Sequence, residues 1–392
     1  LLLTSAEAET APFDWLEERV EVIVTTAQLA ADHDLPQELT SLADLVHVHL
    51  RRTMRDGDSL IILDAARRHG VPQQRREADR RYLQILIYQK QVRQAVELGQ
   101  ELVADTEDPG RAHSMVLLAE SYRHASRYDE AVAIAQEVLR TSADDLDPFA
   151  AGVAAVCLTV CHLRALQVEP ARTACSDGLA RLSLPGYDDP HMRATLLFHL
   201  AWTYQLQAQW DRAEELTHQS LALARSLSRH DLVEICLSSL GASALHRGDI
   251  AEALELLHAS VERALPLGET FILFDATRRL GLAMLAAGRL DEAAALLARA
   301  RDLADHDDVP QAQAALGDLA LARGDVAQAR EHYRAVLATP VGDVGAQQLA
   351  LRGLGDVALA EGDEALARQT WQDALALDPP QWFAHELRQR LT

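Results

Sequence analysis

The sequence predicts an all-α chain made by stacking pairs of helices, and three observations predict it. A short local pattern returns along most of the chain at near-constant spacing. Apolar residues before each copy recur at helical intervals of three and four, as in Leu280, Gly281, Met284 and Leu285. Hydrophobic residues make up 48% of the 392 positions while aromatic residues make up only 5%, so Ala and Leu fill the apolar share, which favours close-packed helices over sheets.

The pattern is a small or polar turn, an acidic or polar pair, then Ala. It reads Arg127-Tyr128-Asp129-Glu130-Ala131, Gln209-Trp210-Asp211-Arg212-Ala213 and Gly248-Asp249-Ile250-Ala251-Glu252-Ala253. It continues as Gly288-Arg289-Leu290-Asp291-Glu292-Ala293, Gly324-Asp325-Val326-Ala327-Gln328-Ala329 and Gly362-Asp363-Glu364-Ala365-Leu366-Ala367. Weaker copies end at Ala171 and Ala95. Positions 131, 171, 213, 253, 293, 329 and 367 lie 40, 42, 40, 40, 36 and 38 residues apart, a period that marks an array of stacked units. Gly248, Gly288, Gly324 and Gly362 supply a left-handed turn between two helices, a following Asp can cap the second helix, and the Ala lets it approach the first. One pair cannot bury its apolar face alone, so neighbours complete the core.

With 37 basic and 59 acidic residues the net charge is −22, which repels a phosphate backbone and argues against direct nucleic-acid binding. It suits basic or neutral partners. Lys90 is the only lysine and there is no asparagine, a bias that points to a GC-rich bacterial genome. Four cysteines, Cys157, Cys161, Cys175 and Cys236, are too few for a disulfide scaffold, which suggests a reducing compartment; cytoplasmic localisation is expected. No run reaches the roughly 20 apolar residues of a membrane span. Residues 1–10 lack the features of a signal peptide and an initiator Met, so the chain reads as a piece of a longer polypeptide.

Around the recurrent Ala the sequence resembles the tetratricopeptide repeat (TPR) family, whose motif has a large apolar residue, a small one, an aromatic three further on, and Ala nine later. Leu118, Ala119, Tyr122 and Ala131 match it, as do Leu200, Ala201, Tyr204 and Ala213. Leu354, Gly355, Ala358 and Ala367 match with one substitution, followed by Trp371 and Pro379. The resemblance covers about residues 76–392 and implies a right-handed α-α superhelix of TPR-like helix pairs with a concave groove. The units are longer than the usual 34 residues. Residues 13–18, Phe-Asp-Trp-Leu-Glu-Glu, resemble the segment that follows the ATPase and winged-helix modules of signal-transduction ATPases with numerous domains (STAND), including SARP-type regulators. Glu21 and Val22 stand where Asn and Leu are common. That likeness implies that residues 1–75 are a helical segment of degenerate pairs joining a missing module to the array, residues 76–392.

Catalytic motifs are scarce. A phosphate-binding GxxxxGK[ST] loop needs a lysine, and Lys90 has no such context, so any ATPase lies outside this chain. Gly353-Leu354-Gly355-Asp356-Val357-Ala358 has dinucleotide-fingerprint spacing but sits in a repeat helix with no preceding strand, so packing is its expected role. Neither HExxH nor GxSxG occurs. Cys157 and Cys161 share a helix face beside His162, with Cys175 on the next helix; zinc would need these to converge tetrahedrally. The surrounding Val153, Val156 and Val160 favour buried thiols instead. His47 and His49 point apart on a helix. No enzyme activity, cofactor or metal is expected.

TPR geometry turns certain first-helix positions toward the groove. Mapped through the Ala register, the resemblance places there Arg123, His124, Arg164, Phe198, Trp202, Gln205, His246, Asp275, Arg278 and Arg352. Phe198 and Trp202 are ligand anchors or internal packing. Arg123, Arg278 and Arg352 suit a carboxylate or phosphate, or else pair with acidic neighbours along the groove. The resemblance implies a ligand- or protein-sensing domain of a bacterial STAND-type transcriptional regulator that binds a protein, a peptide or a small-molecule effector, with fused ATPase and DNA-binding domains outside the chain. The alternative is a free-standing TPR adaptor that holds a peptide or helix.

Overall fold

The computed structural model describes residues 20–33, 35, 56–69, 72–140, 148–185, 188–265, 270–305, 308–339 and 344–392. Phe13–Glu18, His47 and His49 lie outside the described residues. Among the described residues all regular structure is helical, in nineteen α-helices. The chain divides into two compact units, Leu1–Cys161 and His162–Thr392.

In the first unit, α1 (Val20–Asp32) packs on α2 (Asp56–His69), and α2 on α3 (Pro72–Tyr88). Two registered pairs follow: α3 with α4 (Val92–Ala104), and α5 (Arg111–His124) with α6 (Tyr128–Arg140). Most of α7 (Pro148–Arg164) also belongs here. A buried ion pair, Arg80 to Asp108 at 2.7 Å, ties α3 to the turn before α5.

The second unit takes α8 (Val168–Arg181), then four helix pairs in sequence. These are α9 (Pro190–Leu206) with α10 (Trp210–Ser226), α11 (His230–Arg247) with α12 (Ile250–Ala264), α13 (Thr270–Ala286) with α14 (Leu290–Leu303), and α15 (Val309–Ala322) with α16 (Val326–Leu337). A last pair, α17 (Val344–Ala360) with α18 (Glu364–Ala376), is closed by α19 (Gln381–Leu391).

The Ala register is the structural register. Ala95, Ala131, Ala171, Ala213, Ala253, Ala293, Ala329 and Ala367 are all fully buried, including the two weak copies. Five residues before each Ala the backbone is left-handed: Lys90, Ser126, Leu166 and Ala208 at φ 54–58°, then Gly248, Gly288, Gly324 and Gly362 at φ 73–84°. The same backbone bond closes every turn, as in Arg127 N to Tyr122 O (2.9 Å) and Asp363 N to Ala358 O (2.9 Å), so orphan carbonyls at each first-helix end are satisfied identically. Asp249, Asp325 and Asp363 then accept from the backbone N–H of Glu252, Gln328 and Leu366 and cap the second helices, as expected.

Close approach is set by a size exchange between the helices of a pair. A Cβ on Gly241 or Gly281 would collide with Leu257 or Leu297, sixteen residues later, and one on Gly317 or Gly355 with Tyr333 or Trp371. Tyr333 also fills the space over Gly353 of the next pair, so the glycines of the dinucleotide-like string hold aromatic rings. Where the first helix carries Ala instead, at Ala119 and Ala201, the second carries Ala135 and Thr217, which are also fully buried. A glycine on the first helix therefore admits a large residue on the second, and an Ala there is met by a small one.

Candidate binding surface

In the first unit, Arg123 and His124 end α5. Arg123 grips Glu120 through Nε (3.1 and 3.2 Å) and through a second guanidinium nitrogen (2.5 Å), and another contact joins it to the His124 ring at 2.8 Å. Burial opposes the Glu120 charge, but Arg123 outweighs it and holds the carboxyl below its usual range. Cys157 and Cys161 lie nearby on α7. The Cys157 thiol is pushed up by its hydrogen bond with Cys161, by burial and by Glu120, so it stays protonated and unreactive. Cys157, Cys161, Cys175 and Cys236 are all buried and none is in a disulfide. Among the described residues no group of three or more His, Cys, Asp or Glu side chains is placed to hold a metal ion.

In the second unit the sequence-derived candidates fall into separate environments. Arg164 is half-buried at the end of α7. Phe198 packs against the cluster of Ala194, Leu221, Val233 and Leu237, and Trp202 packs against Leu163, Ala171 and Leu206. Both rings therefore serve inter-helix packing. Gln205 reaches from α9 to α11, donating to Ser239 Oγ and Ser243 Oγ at 2.9 Å each.

Asp275 and Arg278 belong to a polar knot on α13. Asp275 receives Arg278 at 2.9 Å, Arg279 at 2.8 Å and the Ser238 hydroxyl of α11 at 3.2 Å. Burial opposes its charge, yet the Arg279 and Arg278 guanidiniums hold its pKa down to about 2. One carboxylate faces two guanidiniums, leaving one positive charge uncompensated within the knot, and Arg278 Nε is buried without a hydrogen-bond partner among the described residues.

Arg352 sits in a second knot. It contacts Asp318 of α15 at 2.6 Å and Glu386 of α19 at 3.6 Å, and its guanidinium lies 5.9 Å from the Phe383 ring centre. Tyr333 donates to the same Asp318 at 2.6 Å, and Arg390 of α19 pairs with Asp356 at 2.9 Å. Burial and Asp318 raise the Tyr333 phenol far above its usual range, so it is a permanent donor.

His246, in the last turn of α11, stacks on Trp210 with ring centres 4.8 Å apart and 20° between planes. Its other neighbour is Trp382 of α19, at 4.4 Å and 53°. The residue is exposed at the surface, yet desolvation beside the two indoles and the nearby Arg279 charge bring its pKa down to about 4.

The structure thus joins Asp275 with Arg278, and adds partners that sequence reasoning missed: Ser238, Arg279, Asp318, Trp210, Trp382 and Glu386. Trp210 was visible as the residue following a turn. Trp382 carried no repeat signal, because α19 lies beyond the last registered Ala. No described helix is long and apolar enough to cross a membrane.

A family model described as tetratricopeptide repeat matches residues 83–150, 238–308 and 314–381, and a second tetratricopeptide repeat model matches residues 196–230. No curated protein matches the sequence. Among solved structures, the fold is similar to a Rap protein complexed with competence and sporulation factor, at 15% identity over 81% of this chain and 96% of that one, TM-score 0.56. It is similar to NprR in complex with its cognate peptide NprX, at 10% identity over 76% and 87%, TM-score 0.55. It is also similar to a STAND protein with a tetratricopeptide repeat sensor from Pyrococcus horikoshii, at 13% identity over 90% of this chain, which spans about half (54%) of that protein, TM-score 0.54. At such identities the likeness is one of fold.

Proposed function

Since the chain belongs to the tetratricopeptide repeat family, a scaffold of protein interaction, we propose that it is a sensing domain that captures a protein segment or effector on the first-helix faces of its second unit. The observation that carries this reading is the Asp275–Arg278–Arg279 knot, where two guanidiniums share one carboxylate and hydrogen-bonding capacity is left over. Such a site draws a carboxylate-bearing ligand, because a planar guanidinium matches a carboxylate fork. Arg123, His124, Arg164, Phe198, Trp202, Gln205, His246 and Arg352 complete the proposed first-helix surfaces, each within its own unit. Small rotations between neighbouring pairs, summed along the array, would carry the bound state to a fused module. Residues 1–75 are proposed as the joining segment, and the whole as the sensor of a bacterial STAND-type transcriptional regulator in the cytoplasm. The similarity to a STAND sensor of the same fold supports it.

The test is the intact mass of the native product in its source cell, read with an antibody raised to this chain. A product far above 43 kDa whose further peptides include a phosphate-binding loop and a DNA-binding module is the expected result. A product near 43 kDa sinks the regulator and favours the second reading, a free-standing adaptor. That reading draws support from the Rap protein, 96% of whose length is spanned by this chain.

A further inference from the structure

The helix α19 carries two adjacent stripes. Phe383 and Leu387, four residues apart, are almost fully buried with Ala358, Ala367, Trp371 and Ala374 and close the end of the array. Trp382 and Glu386, also four apart, lie beside them: Trp382 packs on the edge of the same cluster, its ring centre 5.4 Å from that of Phe383, and extends beyond it. Trp382 lies against His246 of α11, four helix pairs earlier in the chain, and Glu386 approaches Arg352 of α17. Residues four apart on a helix lie one above the other, so one stripe reaches the adjoining α17 and the remote α11 at once. Closing the array accounts for the first stripe and for the edge of Trp382 that rests on it. The contact of Trp382 with His246 reaches beyond the pair that α19 closes and is not required for closing it.

We infer that the Trp210–His246 stack, together with Arg352, is a docking site for a helix bearing an aromatic side chain and, four residues on, a carboxylate. We further infer that α19 fills this site in the free chain as an internal ligand through Trp382 and Glu386. The site's chemistry is that of its present occupant. The His246 ring stacks on Trp210 and meets Trp382 at a tilt, so the neutral ring offers an aromatic contact to an incoming aromatic group. The guanidinium of Arg352, oriented by Asp318 at 2.6 Å, stands 3.6 Å from the Glu386 carboxylate, which Arg390 of α19 also holds at 2.8 Å. Pro379 and Pro380 enter α19 without a side-chain cap, so little beyond the two stripes fixes its first turn. A tethered helix competes at a high effective concentration, so an outside helix binds only in proportion to the fraction of chains in which α19 is released. The partner's identity rests on the interaction reading above; the latch itself does not.

The test uses the full chain and a fluorescein-labelled peptide of residues 378–392, read by anisotropy. His385→Pro places a proline inside α19 at an exposed position and unseats the tethered copy. The peptide is expected to bind the His385→Pro chain at least tenfold more tightly than the unaltered chain. That binding is expected to fall at least tenfold when the peptide carries Trp382→Ala or the chain carries His246→Ala, and to survive His246→Phe, which keeps a stacking ring. Equal binding to both chains, no binding to His385→Pro, or indifference to Trp382 overturns the inference. A second readout leaves α19 intact: in protein labelled with 5-fluorotryptophan, His246→Ala moves the fluorine resonances of Trp210 and Trp382 and leaves that of Trp371 in place. An unmoved Trp382 resonance means there is no latch. If the peptide binds in trans as described but no outside partner is recovered from the source cell, the latch stands and the sensor reading falls.

Discussion

The first four registered turns and the last four have the same backbone and different chemistry. Lys90, Ser126, Leu166 and Ala208 hold a left-handed conformation that Gly248, Gly288, Gly324 and Gly362 hold in the later pairs. The bond closing the turn is the same throughout. The second helices of the later pairs are mostly capped by Asp, whereas Gln91, Gln167 and Gln209 give no side-chain cap in the earlier ones. The later pairs also place volume asymmetrically, Gly against Leu, Tyr or Trp, while Ala119 and Ala201 pair with small residues. Stacking therefore imposes the turn, and residue preference follows only where nothing opposes it. An L-residue in the left-handed region costs roughly 1–2 kcal/mol, and the early pairs bear this strain because helix packing on both sides over-determines the turn.

The asymmetry is broken most severely at Tyr333, whose ring fills the space over two glycines. Tyr333→Ala is expected to cost about 3–5 kcal/mol, as large-to-small core changes do. Ala135→Gly, at the corresponding early position, is expected to cost only about 1 kcal/mol, the helix-propensity difference. Hydrogen exchange resolved by helix pair measures both, since repeat arrays need not unfold as one unit. Equal losses would refute the volume exchange.

The turns come next. Gly248→Ala is expected to destabilise its pair by about 1–2 kcal/mol, and Ala208→Gly to stabilise its own by about 0.5–1 kcal/mol, so that the two halves converge. Urea denaturation of each variant reads the sign; two losses would show that the early turns are relaxed as they stand. At the caps, Asp363→Ala is expected to cost about 1 kcal/mol and Gln209→Asp to gain up to about that much. Thermal melts of the pair of variants decide, and a neutral Gln209→Asp would mean that Trp210 already shields that helix end.

The smallest effects are electrostatic. Asp275 is held near pKa 2, below its ordinary 3.8, so its ionised form is favoured by folding. Its stabilisation is full above about pH 4 and is lost as pH falls toward 2. His246 is held at about 4, below its ordinary 6.5. Below pH 6.5 the unfolded chain gains a proton that the folded chain does not, so stability declines between about pH 6.5 and 4. A proton NMR titration of His246 is expected to show the depressed value, and Trp382→Ala to move it toward 6.5 as a ring face opens to water. An unchanged titration would mean that Arg279 alone depresses it.

The array was legible because its signal is steric. Only a very small side chain fits where the second helix crosses the first, so Ala recurs at a position the eye can count. The early turns were less legible because Ser126, Leu166 and Ala208 resemble ordinary loop residues. The candidate residues were legible by register, but register does not name partners. Arg278 and Arg352 lie 15% or less exposed, and their carboxylates come from Asp275, one turn away, and from Asp318, on another pair.

Composition and periodicity by themselves determined the fold class, the length of the unit and the residue on which each pair closes, because those depend on local helix geometry repeated along the chain. The superposition of α19 on α11 was decided only by tertiary structure. Small rotations between successive pairs accumulate, and their sum, carried by no single repeat, brings Trp382 onto His246.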